Sequence, residues 1–190
     1  MSLDIDSATG LIRQARQVAS VNYDARPNDC APELIVVHAI SLPPGEYGGP
    51  WIDHLFSNTI DPTKHPYFAE IADLRVSAHV LIRRSGELLQ FVNFEQRAWH
   101  AGQSCFAGRD NCNDYSIGIE LEGSDDDPYT RAQYQALSSL TTALCAAYPA
   151  IDLERIVGHS EIAPGRKTDP GPAFDWQRYR KDLVEQGDMV

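Results

Sequence analysis

His38 and His159 each close an apolar run, "ELIVVH" and "RIVGH", and ten residues past the second histidine stands Asp169, in "HSEIAPGRKTDPGP". A strand end is where a rigid sheet hands a side chain to a site, so both histidines are candidates for chemistry. Two neutral imidazoles and one carboxylate form a facial set of three donors. On tetrahedral zinc such a set leaves the fourth position to water, which is the pattern of a catalytic rather than a structural site. Neither histidine belongs to a helical H-E-x-x-H pair, which disfavours a metalloprotease of that kind. A plainer reading stays open at this point: Asp169 could cap a turn, with Lys167 as its ordinary ion-pair partner.

The other four histidines carry weaker signals. His54 and His65 lie in loop-rich sequence, and His79 opens an apolar run and reads as a core-facing, hydrogen-bonded residue. His100, in "AWHAG", stands beside Trp99 at a strand end, where it could line a groove. In "SIGIELEG", strand alternation puts Ile117, Ile119 and Leu121 on one face and Gly118, Glu120 and Glu122 on the other. Two carboxylates then point the same way, roughly 7 Å apart. Alternation alone does not choose between them.

The elements that must position these groups follow from local pattern. "ELIVVHA" reads as a buried strand ending at or near His38, and "SAHVLIRRSGELLQFVNF" as a hairpin turning at Ser85-Gly86. The stretch from Ser41 to about Arg75 is rich in proline and glycine. It is expected to be largely loop, with a short helix after Gly49, and to form one wall of a binding groove. Thr130 and Gln133 make a capping box for a long helix that Pro149 stops, and Asp175 caps a terminal helix carrying Trp176, Tyr179 and Leu183 on one stripe. A short helix is expected from Asp6 to Val18, and "SDDDP" reads as a solvated loop. Interspersed strands and helices imply an α/β domain with a mixed sheet covered by helices.

Bulk properties narrow the class. The chain has 190 residues, 43% of them hydrophobic, which fits a single domain over 1–190. A net charge of -11 excludes a long-range field that would draw in nucleic acid or an anionic membrane surface. No stretch approaches the length of a membrane span and no leader is evident, so a cytoplasmic location is expected, without membrane insertion. The four cysteines, Cys30, Cys105, Cys112 and Cys145, show no C-x-x-C pairing and are expected to be free thiols.

"VVHAISLPPGEYGGPWI", "HPYF", "LRVSAH", "RAWHAG", "CND", "SIGIELEG" and "APGRKTDPG" occur in that order from about Leu34 to Tyr179. This series resembles the AmpD-type cytoplasmic N-acetylmuramoyl-L-alanine amidases. They belong to a zinc amidase family that also includes phage lysozyme-type amidases and peptidoglycan recognition proteins. The resemblance implies a mixed sheet flanked by helices with a zinc groove on one side. It implies His38, His159 and Asp169 as zinc ligands, Glu120 rather than Glu122 as the carboxylate beside the metal, and Lys167 as a catalytic lysine. It further implies Tyr67, Arg75 and Trp99 as substrate-binding residues, with Arg75 and Trp99 meeting a peptide carboxylate and the sugar-lactyl portion. The implied substrate is a 1,6-anhydro-N-acetylmuramoyl peptide met during cell-wall recycling, and no protein partner is implied. Two positions depart from the family: Ala39 stands where asparagine is common and Asn111 where arginine is common, both expected near substrate. Two alternatives remain. A lytic amidase would act on intact peptidoglycan, and a recognition module would bind without cutting, although such modules lose a zinc ligand and all five expected groups are present here.

Overall fold

The longest β-branched run becomes the middle of a sheet. The structure, a computed structural model, describes residues 3–27 and 30–186, so residues 1–2, 28–29 and 187–190 of the expected domain lie outside the description. Six strands form the main sheet: β1 (Arg16–Gln17), β2 (Leu34–Ile40), β3 (Val80–Ile82), β4 (Leu88–Gln90), β5 (Ser116–Glu122) and β6 (Ile156–Gly158). Their order across the sheet is β6-β2-β5-β3-β4-β1. β2 pairs in parallel with β5 and β6, β5 pairs in parallel with β3, and the β3–β4 hairpin supplies the antiparallel step. Both faces of β5 are buried along its whole length, as expected of a parallel strand inside a layered α/β sheet.

Each face has its own cover. Ile35, Val37, Ile117, Ile119 and Leu121 pack against α3 (Arg131–Ala147) and α5 (Trp176–Gln186) through Leu137, Leu140, Leu144, Tyr179 and Leu183. The capping box forms as expected, with Thr130 Oγ1 accepting from Gln133 N and Gln133 Oε1 accepting from Thr130 N, both at 3.1 Å. Asp175 caps α5 by accepting from Arg178 N. On the opposite face, α1 (Trp51–Phe56) and α2 (Pro66–Ile71) pack Ile52, Leu55, Phe56, Phe68 and Ile71 against Leu81 and Leu89. The short α4 (His159–Ile162) follows β6 directly.

Residues 6–18 do not form the expected helix. The Asp6 carboxylate accepts the N–H groups of Ala8 and Thr9, and Gly10 sits at φ 66°. The chain folds back as two-residue strands, Ile5–Asp6 against Leu11–Ile12, and then enters β1. A local side-chain bond offered the backbone an alternative to the helix, and tertiary contact completed it: Ile12 is buried and its N–H reaches Gln90 Oε1 at 2.7 Å. The stretch from Ser41 to Arg75 is loop with one helix more than expected. α2 starts at Pro66, whose missing N–H costs nothing in the first turn, and His65 Nδ1 accepts from Tyr67 N. The four cysteines are free, and no helix of the described residues is long and apolar enough to cross a membrane.

Candidate metal centre

Strand register assembles the site. Glu120 lies directly opposite His38 in the β5–β2 pairing, and Gly158 lies opposite Val37, so that His159 leaves β6 level with His38. Three side chains therefore emerge toward the carboxyl ends of three adjacent parallel strands, where open α/β sheets receive ligands. Asp169 arrives on the loop after α4, tied back by Ser160 N donating to its carbonyl at 3.0 Å. His38 Nδ1 stands 2.9 Å from His159 Nδ1 and 3.2 Å from Asp169 Oδ2, and His159 Nδ1 stands 3.0 Å from the same oxygen.

This donor set fits a metal ion. His159 Nε2 lies 3.2 Å from the carbonyl oxygen of Ala101, which can only accept, so Nε2 carries a proton and Nδ1 is the nitrogen turned toward His38 and Asp169. Burial, opposed by Asp169, lowers the His38 pKa to about 4 and keeps that imidazole neutral. Two imidazole nitrogens and a carboxylate oxygen converging within 4.8 Å of one another suit a cation that takes nitrogen and oxygen together. Beside them Glu120 is buried, and its Oε2 has no hydrogen-bond partner among the described residues. Burial first, and then the charge of Asp169, push its pKa well above the ordinary carboxyl range, while Lys167 works against that rise. A buried carboxyl without a partner is costly in structural terms and is the kind of group a reaction uses.

His38, Glu120, His159, Lys167, Asp169 and Tyr67 all line one cavity of about 400 Å³. Leu42, Pro44, Leu55 and Ile71 build one side of it, so the proline-rich stretch does form a wall of the groove. No ion pair joins Lys167 to Asp169 among the described residues: the carboxylate faces imidazoles and the lysine is exposed along the groove. Arg75 and Trp99 are not among the residues lining this cavity. The Arg75 guanidinium donates to the carbonyls of Ala72 and Leu74, and Trp99 Nε1 donates to Asp24. Ala39 does line the groove, whereas Asn111 lines a separate cavity with Cys105 and Arg166.

The remaining histidines divide as sequence suggested. His79 is a satisfied core residue, its Nδ1 accepting from Gly118 N and its Nε2 facing the carbonyl of Gln96. His65 caps α2. His100 lines the groove, as its strand-end place suggested, and goes further: its Nδ1 lies 2.9 Å from His38 Nε2, and Ser116 Oγ lies 3.1 Å from its Nε2. Ser116 carried no expectation. The signal was Gly118, an isolated glycine inside a strand, which marks close approach by another group. A Cβ at that position would lie 2.4 Å from Cγ of the His100 ring.

Comparison with known proteins places this geometry in a family. The 1,6-anhydro-N-acetylmuramyl-L-alanine amidase AmpD of Salmonella typhimurium (strain SL1344) is 64% identical over 171 residues, covering 90% of this chain and 91% of that protein. A crystal structure of a selenomethionine AmpD derivative superposes with a TM-score of 0.91 at 61% identity, covering 96% of this chain and 99% of the other. More distant is a complex of the Escherichia coli amidase AmiD with anhydro-N-acetylmuramic acid-L-Ala-D-γ-Glu-L-Lys. It matches at 30% identity and a TM-score of 0.59, covering 83% of this chain and 60% of the other. The family profile described as N-acetylmuramoyl-L-alanine amidase spans residues 28–172, the interval that contains β2, β5, β6 and every group of the cavity named above, and the chain belongs to that family.

Proposed function

We propose that this amidase is a zinc enzyme that hydrolyses the amide bond between the lactyl group of 1,6-anhydro-N-acetylmuramic acid and L-alanine. Its substrates would be peptidoglycan fragments, and its setting cell-wall recycling in the cytoplasm. The observation that carries the proposal is the convergence of His38 Nδ1, His159 Nδ1 and Asp169 Oδ2 beside the unpartnered carboxyl of Glu120, in a chain closely similar to amidases named for that substrate.

His38, His159 and Asp169 would hold the zinc, which when bound brings the pKa of a water down to near 7 and polarises a carbonyl. Glu120 takes the proton of the attacking water and returns a proton to the departing alanine amine. Its Oε2, buried and without a hydrogen-bond partner among the described residues, is free for that exchange. Lys167 meets the negative charge that develops on the carbonyl oxygen. Tyr67 contacts substrate from the groove wall. Arg75 stands between Leu74 and Val76, which both line the cavity, and takes a peptide carboxylate at the rim. Trp99 is assigned to the sugar-lactyl portion on family resemblance alone.

Mass spectrometry of anhydro-N-acetylmuramoyl-tripeptide incubated with the wild type and with Glu120→Ala, alongside metal analysis, tests the proposal. Release of the free tripeptide by zinc-loaded wild type and not by the variant is expected. Intact substrate in the presence of zinc-loaded wild type overturns it. Release of dye from labelled whole cell walls with no cleavage of the small fragment would instead mark an enzyme of the intact wall.

A further inference from the structure

A contact between two imidazole nitrogens admits two proton orders. At the His38 Nε2 to His100 Nδ1 contact of 2.9 Å, only one of them leaves His38 Nδ1 bare toward His159 and Asp169. The surroundings choose between them. Ser116 Oγ lies 2.5 Å from the carbonyl oxygen of Cys112, and a carbonyl has no proton to offer, so the hydroxyl donates. With its only proton placed there, Ser116 must accept at its 3.1 Å contact with His100 Nε2. His100 therefore carries its proton on Nε2. Among the described residues the polar contacts of the His100 ring are His38 and Ser116, with no carboxylate to balance a second proton, so His100 Nδ1 is bare and accepts from His38 Nε2. In the neutral His38 ring this makes Nδ1 the nitrogen whose lone pair can face a cation.

The backbone holds this order in place. The Asn113 side-chain oxygen accepts from the backbone N–H of both His100 and Ala101, at 3.1 and 2.8 Å. Ala101 in turn fixes the second histidine, since its carbonyl accepts from His159 Nε2 at 3.2 Å. Two consecutive residues thus orient both imidazoles, and the ring of His100 reaches its place only because residue 118 has no side chain.

We infer that His100 is a positioning residue for the metal centre, setting the tautomer of His38 through a proton order that runs from His38 through His100 and Ser116 to the carbonyl of Cys112. The inference rests on the metal-binding role proposed for His38, but the proton order belongs to the chain itself and is readable without metal. In zinc-free, 15N-labelled protein at neutral pH, long-range proton–nitrogen correlation spectra should show His38 protonated at Nε2, and His100 protonated at Nε2 and bare at Nδ1. A proton on Nδ1 of His100, or none on Nε2 of His38, overturns the inference, whatever the protein does with zinc.

The second test is zinc affinity, read by competition with a chromogenic chelator. His100→Ala should weaken binding about 10- to 100-fold, the usual effect of losing a partner behind a ligand. His100→Asn, whose side-chain oxygen takes the place of Nδ1, should restore affinity to within a few-fold of wild type. Wild-type affinity in folded His100→Ala, or no rescue by His100→Asn, would sink the idea. Should His100→Ala fail to fold, Ser116→Ala serves instead: a mixed His100 tautomer with weakened zinc binding is expected, and an unchanged spectrum overturns the proton order. Wild type that binds no zinc yet shows the expected tautomers would remove the proposed function and leave the proton order standing.

Discussion

Glu120 and Glu122 are the same residue type, two positions apart, on the same face of the same strand, and they live in opposite circumstances. Glu122 Oε1 accepts from Arg83 at 2.9 Å and from Gly48 N at 2.7 Å, and its Oε2 accepts from Arg84 N at 3.0 Å. Arg83 is itself divided between Glu122 and Asp53, which it reaches at 2.6 Å. Both oxygens of that carboxylate are engaged, so its charge is balanced and its position fixed. Glu120 has an oxygen with no partner and faces the groove. Environment, not residue type, separates a structural carboxylate from one able to move a proton.

The largest test of this contrast is chemical. Glu120→Gln should cut turnover by about 10²- to 10⁴-fold while zinc content holds, the usual loss for a positioned acid–base group. Turnover near wild type in that variant would break the contrast at once. Next in size is the reciprocal change. Glu122→Gln should leave turnover per folded molecule close to wild type but lower unfolding stability by about 3 kcal/mol in denaturant melts, because Arg83 loses a buried partner. If Glu122→Gln instead lost activity at unchanged stability, the two roles would have been assigned the wrong way round. Comparable in size is the effect of Lys167→Met, about 10²- to 10³-fold in turnover with zinc still bound, because a donor aimed at developing charge is removed. Normal kinetics in that variant would confine the chemistry to Glu120 and the metal.

The smallest effect has the least intuitive sign. Glu120 has its pKa raised in the folded protein, so folding favours its protonated form: the contribution is fully present below the unfolded value and is lost as pH rises through the folded value. In zinc-free protein, Glu120→Gln should therefore melt above wild type at pH 8, and the gap should close as pH falls into the ordinary carboxyl range. A wild type more stable than the variant at pH 8 would mean that Glu120 is comfortable where it sits.

Much of this was legible one residue at a time. Strand-end position singled out His38 and His159, and alternation put Glu120 and Glu122 on one face. The capping box at Thr130 and Gln133 marked the start of α3, because these signals are local. What required the structure was pairing over distance. Nothing near Glu122 in sequence says that Arg83, 39 residues earlier, will neutralise it. Likewise nothing near His100 says that it will stand behind His38, 62 residues away. The helix expected over Asp6 to Val18 failed for a local reason that was present but underweighted, the combination of a turn-forming aspartate with a glycine in the left-handed region. Arg75 and Trp99 were placed by resemblance; the Arg75 guanidinium is held by the carbonyls of Ala72 and Leu74 and Trp99 Nε1 by Asp24, and neither residue lines the cavity.

The pairing of β2 with β5 sets His38 against Glu120 through backbone hydrogen bonds alone. Part of what specifies this site is therefore written in chain length rather than in residue identity. An extra alanine inserted between Leu34 and His38 would retain every side chain discussed above, yet turn His38 toward the helices of the far face. A tolerance map built only from substitutions would miss that vulnerability, whereas one that included single-residue insertions would find β2, β5 and β6 far less forgiving than the loop from Ser41 to Trp51.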